Sequence, residues 1–544
     1  MPVLQRLMFS LVLSALFVLL CHPLSAAANA PGALVSADWL KHNLGKADLL
    51  VIDASFPPVH KAGHIPGAVN VNIFGFGGRE QSPAEMERLM QSWGIGSGKT
   101  VVLYDPGATY LATSLFFDLA YNGFPVAQLA VLDGGFAKWI ASGGEVTKET
   151  TPAPIPGDFR VTQRREEWRT RLNDMLAASG NPAQHVILDA LEPRYYYGAS
   201  KFFDRAGHLP RAVSLPTADL FNADKTFKSP QELKRILALL GARPEQQLHS
   251  YCGGGIAASV PFFAAKFLAG YPHVALYKGS QHEWLRDDRG LPVWTYAEPQ
   301  LLRDMTWLSG WNDEMMRQFG VARLNIVDVR GDTAYGQGHI PFALNLPIES
   351  LRDGWQEPQK FAQLLGSAGI DAAYETVVVA EGGLSARAAL AFFALHAIGH
   401  PRVSILVDSV DDWGLAGHNI VKTPTAVGPK KHPMDPSIPP TRYVAQPHPS
   451  LFANIGEQPA GAFPRIVVAT GPTPPAGKAI HLPASEFLAT NAVPKPAKEI
   501  MTLLSKAGVT RYAEIVLVAD DAGDAAIAYV IFKLMGYPDV KVGR

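Results

Sequence analysis

The chain of 544 residues is long enough for about three to five compact units at roughly 100–200 residues each, which excludes a single small fold. With 47% apolar and 18% charged residues it has ample material for buried cores and too little charge for a disordered chain. Lys and Arg number 48 against 49 Asp and Glu, and the net charge of -1 argues against an electrostatic grip on nucleic acid or anionic lipid.

At the amino terminus Arg6 precedes an apolar run over residues 7–20, broken only by Ser10 and Ser14, and small residues follow over 25–30. This reads as a secretory signal, residues 1–28, cleaved near Ala28. The run is about 14 residues, short of the roughly 20 that a membrane span needs. Leu20 before Cys21 is not the small residue of a lipoprotein signal. The mature protein is expected in a bacterial periplasm or secreted, free of the membrane after cleavage. Of the two cysteines only Cys252 then remains, with no intramolecular partner, so it is either buried and inert or kept for its reactivity.

Further along, one pattern returns at a domain-sized period of roughly 130–147 residues, far longer than a solenoid repeat. Its first mark is an apolar strand ending in Asp: Leu49-Leu50-Val51-Ile52-Asp53, Val186-Ile187-Leu188-Asp189 and Asn325-Ile326-Val327-Asp328. A turn follows, Ala62-Gly63-His64-Ile65-Pro66-Gly67-Ala68, repeated as Ala206-Gly207-His208-Leu209-Pro210-Arg211-Ala212, as Gly338-His339-Ile340-Pro341-Phe342-Ala343 and faintly as His481-Leu482-Pro483. A second apolar strand leads into a small-residue loop and an Ala-rich helix; its ends are Tyr104-Asp105, Tyr251-Cys252, Ala380-Glu381 and Ala519-Asp520. The unit closes on Leu132-Asp133-Gly134-Gly135-Phe136-Ala137-Lys138-Trp139, echoed before Trp284 and Trp413. Continuous apolar runs alternating with helical patterns imply strands buried on both faces of a mainly parallel sheet. Pro-rich stretches at 152–156, 292–299 and 424–440 separate the units.

Strand-Asp, the Gly-His-Ile-Pro turn, a Cys-led loop opening a helix and the Leu-Asp-Gly-Gly-Phe-x-x-Trp element together resemble the rhodanese sulfurtransferase family. The resemblance implies four three-layer α/β domains with mainly parallel central sheets, arranged as two tandem pairs. Their expected bounds are 33–150, 160–296, 302–425 and 442–544, with a Pro-rich linker at 426–441. It implies a first domain inactive with Asp105 at the Cys position, a catalytic second domain, and a degenerate second pair with Glu381 and Asp520 near that position.

The chemistry is expected in the loop Cys252-Gly253-Gly254-Gly255-Ile256-Ala257. Three successive glycines allow backbone angles closed to other residues, so several N–H groups turn toward one point beside a helix amino terminus. In such surroundings a thiol near pKa 8.5 falls to about 3.5–7.5 without a neighbouring base. Related phosphatases close a longer loop on an Arg, whereas Ala258, Ser259 and Val260 follow here, which disfavours phosphoryl transfer. The uncharged loop is closer to the mercaptopyruvate type than to the thiosulfate type, and the donor stays open.

The family places an Arg after the strand-ending Asp, which makes Arg194 the candidate for holding an anionic donor; Arg205 and Arg211 flank the turn nearby. His64, His208 and His339 read as structural hydrogen-bonding groups, and Trp139, Trp284 and Trp413 as packing for each closing helix. Neither a metal site nor a cofactor is expected. The expected reaction is ping-pong: Cys252 takes a sulfane sulfur from thiosulfate, 3-mercaptopyruvate or a related anion, and passes it to cyanide, a thiol or a protein. The competing reading is a sulfur carrier or interaction scaffold. A redox sensor lacks its resolving Cys.

Overall fold

The computed structural model describes residues 32–76, 80–318, 323–428, 443–459 and 461–544. The secretory signal expected at residues 1–28 lies outside these residues, as does most of the expected Pro-rich linker. Four five-stranded sheets are present, and every described strand pair is parallel. The first contains β1 (Leu34–Val35), β2 (Leu49–Asp53), β3 (Val69–Asn70), β4 (Thr100–Tyr104) and β5 (Leu129–Leu132). The second contains β6 (Arg169–Thr170), β7 (His185–Asp189), β8 (Ala212–Ser214), β9 (Gln247–Tyr251) and β10 (Val274–Tyr277). The third is built from β11 (Leu302–Arg303), β12 (Leu324–Asp328), β13 (Leu344–Asn345), β14 (Glu375–Val379) and β15 (Val403–Leu406). The fourth has β16 (Phe452–Ala453), β17 (Arg465–Ala469), β18 (Ile480–His481), β19 (Glu514–Val518) and β20 (Val540–Gly543).

One topology serves all four: β1-β5-β4-β2-β3 in the first sheet, and the same order of first, fifth, fourth, second and third strand in the others. Central strands such as β4 and β12 are buried at every residue, as the unbroken apolar runs require of a parallel sheet covered on both faces. The described residues form two compact units. Of these residues, one unit holds those from 32 to 176 with Leu215–Leu233 and Gln247–Ser280, the other Ala177–Ser214, Lys234–Gln246 and those from 281 to 544.

The recurring motif residues share physical causes. Asp53, Asp189 and Asp328 are buried at strand ends, and each accepts the backbone N–H two residues on, from Ser55 at 2.9 Å, Leu191 at 2.9 Å and Arg330 at 3.0 Å. A short carboxylate turns the chain out of the sheet in this way. Each turn histidine donates Nδ1–H to a carbonyl: His64 to His60 at 3.0 Å, His208 to Tyr196 at 2.8 Å, His339 to Tyr335 at 3.0 Å. Each ring also stacks on the ring of that same residue.

The backbone of each turn histidine forms an antiparallel bridge to the segment that follows the closing helix, at Thr147, Trp294 and Val421. The closing Trp holds that segment by donating its indole N–H to Glu145, Pro292 or Asn419 at 2.8–2.9 Å. The turn and the Trp element, far apart in sequence, are therefore two ends of one clasp. Both the histidines and the tryptophans are structural, as expected.

Burial pushes the pKa of His208 down to about 3, and those of His396 and His400 down to about 4. Folded histidines that stay neutral while unfolded ones take protons near pH 6.5 remove stability as pH falls through that range. Urea unfolding at pH 7 and pH 5 should show a lower midpoint at pH 5 for the second unit. For fully buried His208 the loss is about 1 kcal/mol per pH unit.

Candidate active site

β9, the central strand of the second sheet, delivers Cys252 at its carboxyl end, and the chain leaves it as the glycine loop. Ser250 Oγ donates to Ala258 O at 2.5 Å, tying the strand to the far end of the loop. Within the loop the Gly255 N–H donates to Cys252 Sγ at 3.1 Å. Cys252 is 3% exposed, Gly254 is exposed, and Ile256 and Ala257 are half-buried. The sulfur therefore sits against an inward-turned amide beneath a loop that reaches solvent.

Close approach dictates glycine at Gly255. Its φ is +84°, and a Cβ there would lie 2.1 Å from the carbonyl oxygen of Lys278, just past the end of β10. The first domain repeats the device: Gly107 has φ +105°, and its Cβ would meet Gly134 O at 2.5 Å. A strand-end backbone pressing on the loop thus forces the conformation that turns its amides.

Asp105 occupies the matching place after β4. Its carboxylate accepts from the Gly107 N–H at 2.8 Å, the Ala112 N–H at 3.1 Å and the Thr109 hydroxyl at 2.6 Å. The first cradle is filled by its own anion, which is why it is expected to bind none. In the second pair β14 ends at Val379 and β19 at Val518, so Ala380 and Ala519 follow directly, and Glu381 and Asp520 stand one residue further on. Glu381 is held by Arg387 at 2.7 Å.

The Ala-rich helix expected after the loop is broken into two forms, an α-helix at Ser259–Phe263 and a π-turn at Ala264–Leu268. The π-turn, closed by the Ala269 N–H to Ala264 O at 2.8 Å, brings residues five apart to one face, and Phe262 and Phe267 both reach Trp168. Pro261 is tolerated because the first helical turn has no use for its missing N–H. Across this face Phe116 meets Phe263 at 4.9 Å and Phe117 meets Phe262 at 5.0 Å, both edge-on. Ser259 and Thr113 share a 2.8 Å hydrogen bond, so the helices behind the two loops lock together at their starts.

Three further residues of the site were given no role by the sequence, although Lys278 and Ser280 lie in the closing motif before Trp284. Ser280, buried with φ +49°, accepts the Cys252 N–H at 3.1 Å and donates to Tyr277 O at 2.8 Å. The signal was available: Ser280 replaces Gly135 of the first repeat, a left-handed position where a side chain is unusual. Lys278 forms a buried ion pair with Asp118 at 2.9 Å; burial pushes the Asp118 carboxyl up, against the pull of the ammonium.

Of the expected anion-holding residues, Arg194 lies in the short helix Pro193–Tyr196, paired with Glu192 at 2.9 Å and lying over the Tyr195 ring. Arg205 donates to Leu291 O at 2.7 Å, and Arg211 approaches Glu298 at 3.8 Å. Among the described residues no cluster of three or more His, Cys, Asp or Glu could hold a metal ion, and no helix is long and apolar enough to cross a membrane.

The family model for the rhodanese-like domain matches residues 36–142, 170–287 and 310–416. The chain belongs to the rhodanese family of sulfurtransferases. It is 32% identical over 275 residues to the sulfur carrier protein TtuD of Thermus thermophilus, covering 47% of this chain and 94% of that protein. A probable 3-mercaptopyruvate sulfurtransferase of Pseudomonas aeruginosa is likewise 32% identical over 276 residues, 47% of this chain and 96% of the relative. The crystal structure of SseA from Escherichia coli aligns with 46% of this chain and 98% of its own, at 24% identity and a TM-score of 0.41. Each of these relatives spans about half of the present chain.

Gly255→Ala is expected to lower stability by about 2 kcal/mol or more, through left-handed strain and collision with Lys278 O. The thermal midpoint reads this directly; a variant as stable as the parent contradicts the packed-loop geometry.

Proposed function

We propose that this rhodanese-type transferase moves a sulfane sulfur from thiosulfate, 3-mercaptopyruvate or a related anion to a nucleophilic acceptor, with Cys252 as carrier of the persulfide. The supporting observation is the 3.1 Å hydrogen bond from the Gly255 N–H to Cys252 Sγ in a loop whose glycine geometry is imposed by packing. In the first half-reaction the Cys252 thiolate attacks the outer sulfur of thiosulfate. A new sulfur–sulfur bond forms as the old one breaks, and its electron pair leaves with sulfite. With 3-mercaptopyruvate a carbon–sulfur bond breaks instead, and the carbon takes a proton to give pyruvate. In the second half-reaction cyanide, a thiol or a protein nucleophile takes the outer sulfur and restores the thiolate.

Backbone amides of Gly253, Gly254, Gly255, Ile256 and Ala257 are the groups proposed to hold charge through both steps, with no general base required. Arg194 is the proposed cation for the anionic donor. Reaction in a bacterial periplasm or outside the cell is proposed from the leader at residues 1–28.

A carrier reading draws support from the similarity to the Thermus sulfur carrier protein. Turnover separates the two, since a carrier loads once. Steady-state assay with thiosulfate and cyanide should give continuing thiocyanate formation, falling to background in Cys252→Ser with an unchanged thermal midpoint. Turnover retained in that variant would end the assignment of Cys252, and a single stoichiometric burst in the parent would favour the carrier.

A further inference from the structure

A cavity of about 630 Å3 opens within the second compact unit, and none of its lining residues belongs to the glycine loop. Its wall carries Arg211, Arg303, Arg402, Arg511 and Lys533 against two carboxylates, Glu298 and Glu375. Arg303 and Glu375 satisfy one another through two hydrogen bonds of 2.8 and 3.0 Å. Arg211 leans toward Glu298 at 3.8 Å.

The other three cations are met by carbonyl oxygens: Arg402 by Ala373 at 2.6 Å, Arg511 by Ser214 at 2.8 Å and Lys533 by Tyr537 at 3.4 Å. A carbonyl orients a cation without neutralising it. The Nε atom of Arg511 is buried with no hydrogen-bond partner, an arrangement that native structures seldom keep without cause. Burial draws the Lys533 pKa down, against the pull of the Glu298 and Asp539 carboxylates. The remaining lining includes Leu240, Leu301, Phe392 and Tyr537. The volume falls in the range of roughly 300–1,000 Å3 typical of small-molecule sites.

We propose that this cavity binds an organic polyanion of about nucleotide size, whose charged groups take the free donors of Arg402, Arg511 and Lys533 while its aromatic or aliphatic body lies on Leu240, Leu301, Phe392 and Tyr537. Guanidinium forks suit the paired oxygens of phosphate or carboxylate, and the Arg402 and Arg511 guanidinium groups, each held by carbonyl oxygens and not by a carboxylate, call for two negative charges. A single sulfur oxyanion would leave the apolar lining uncovered. This site is separate from the chemistry of Cys252 and stands whether or not that proposal holds.

Calorimetric titration of the full chain with ADP, pyrophosphate and adenosine tests it. ADP should bind with an affinity that weakens as salt rises, pyrophosphate more weakly, and adenosine without measurable heat. Arg511→Gln should weaken ADP at least tenfold; because Arg511 is packed into the fold, Arg402→Gln at the exposed rim supplies a second variant with the same expectation. Absence of ADP binding at millimolar concentration overturns the proposal, as does an affinity unchanged in both variants. Pyrophosphate binding as tightly as ADP would overturn the organic ligand class.

Discussion

The contact on which the site depends is the press of a strand-end carbonyl against a glycine with no room for a side chain. Lys278 O against Gly255 leaves the loop a left-handed turn at that residue, and this turn aims the Gly255 amide at the sulfur. A donor fixed by backbone packing requires no reorganisation when charge arrives, which is the property a persulfide cycle needs. Ser280 completes the arrangement from the other side by holding the amide of Cys252 itself.

The first domain shows the same scaffold put to a structural use. With Asp105 in place of the cysteine, the amides of Gly107 and Ala112 and the hydroxyl of Thr109 close on a resident carboxylate. The carboxylate therefore takes up these three donors in place of a thiol, and the domain braces its neighbour through the Phe116 and Phe117 contacts. The second pair of domains retains a comparable helix contact, Phe393 against Tyr529 at 5.0 Å, where no cysteine is present.

Much of the fold was legible in the residues because its marks are local. An apolar run ending in Asp, a Gly-His turn and a closing Trp each satisfy backbone groups within a short stretch, so they recur wherever the unit recurs. The His–Trp clasp was legible only as two motifs, since their joining is a tertiary bridge. The cysteine loop stood out through its glycines and Ser280 was marked by standing where the first repeat has Gly135, but the Asp118–Lys278 pair and the π-turn behind Phe263 depend on neighbours distant in sequence. The anion cavity was invisible for the same reason: Arg402, Arg511 and Lys533 have no shared spacing. Arg194, placed by resemblance, forms an exposed pair with Glu192 two residues before it, a contact between near neighbours that leaves its proposed role to the assay.

The account rests on Cys252 taking up sulfur. Mass spectrometry of the protein after brief exposure to thiosulfate addresses this most directly, because it sees the intermediate and not its consequences. The peptide bearing Cys252 should gain one sulfur atom and lose it on addition of cyanide. A peptide left unmodified by thiosulfate and by 3-mercaptopyruvate alike would contradict the account.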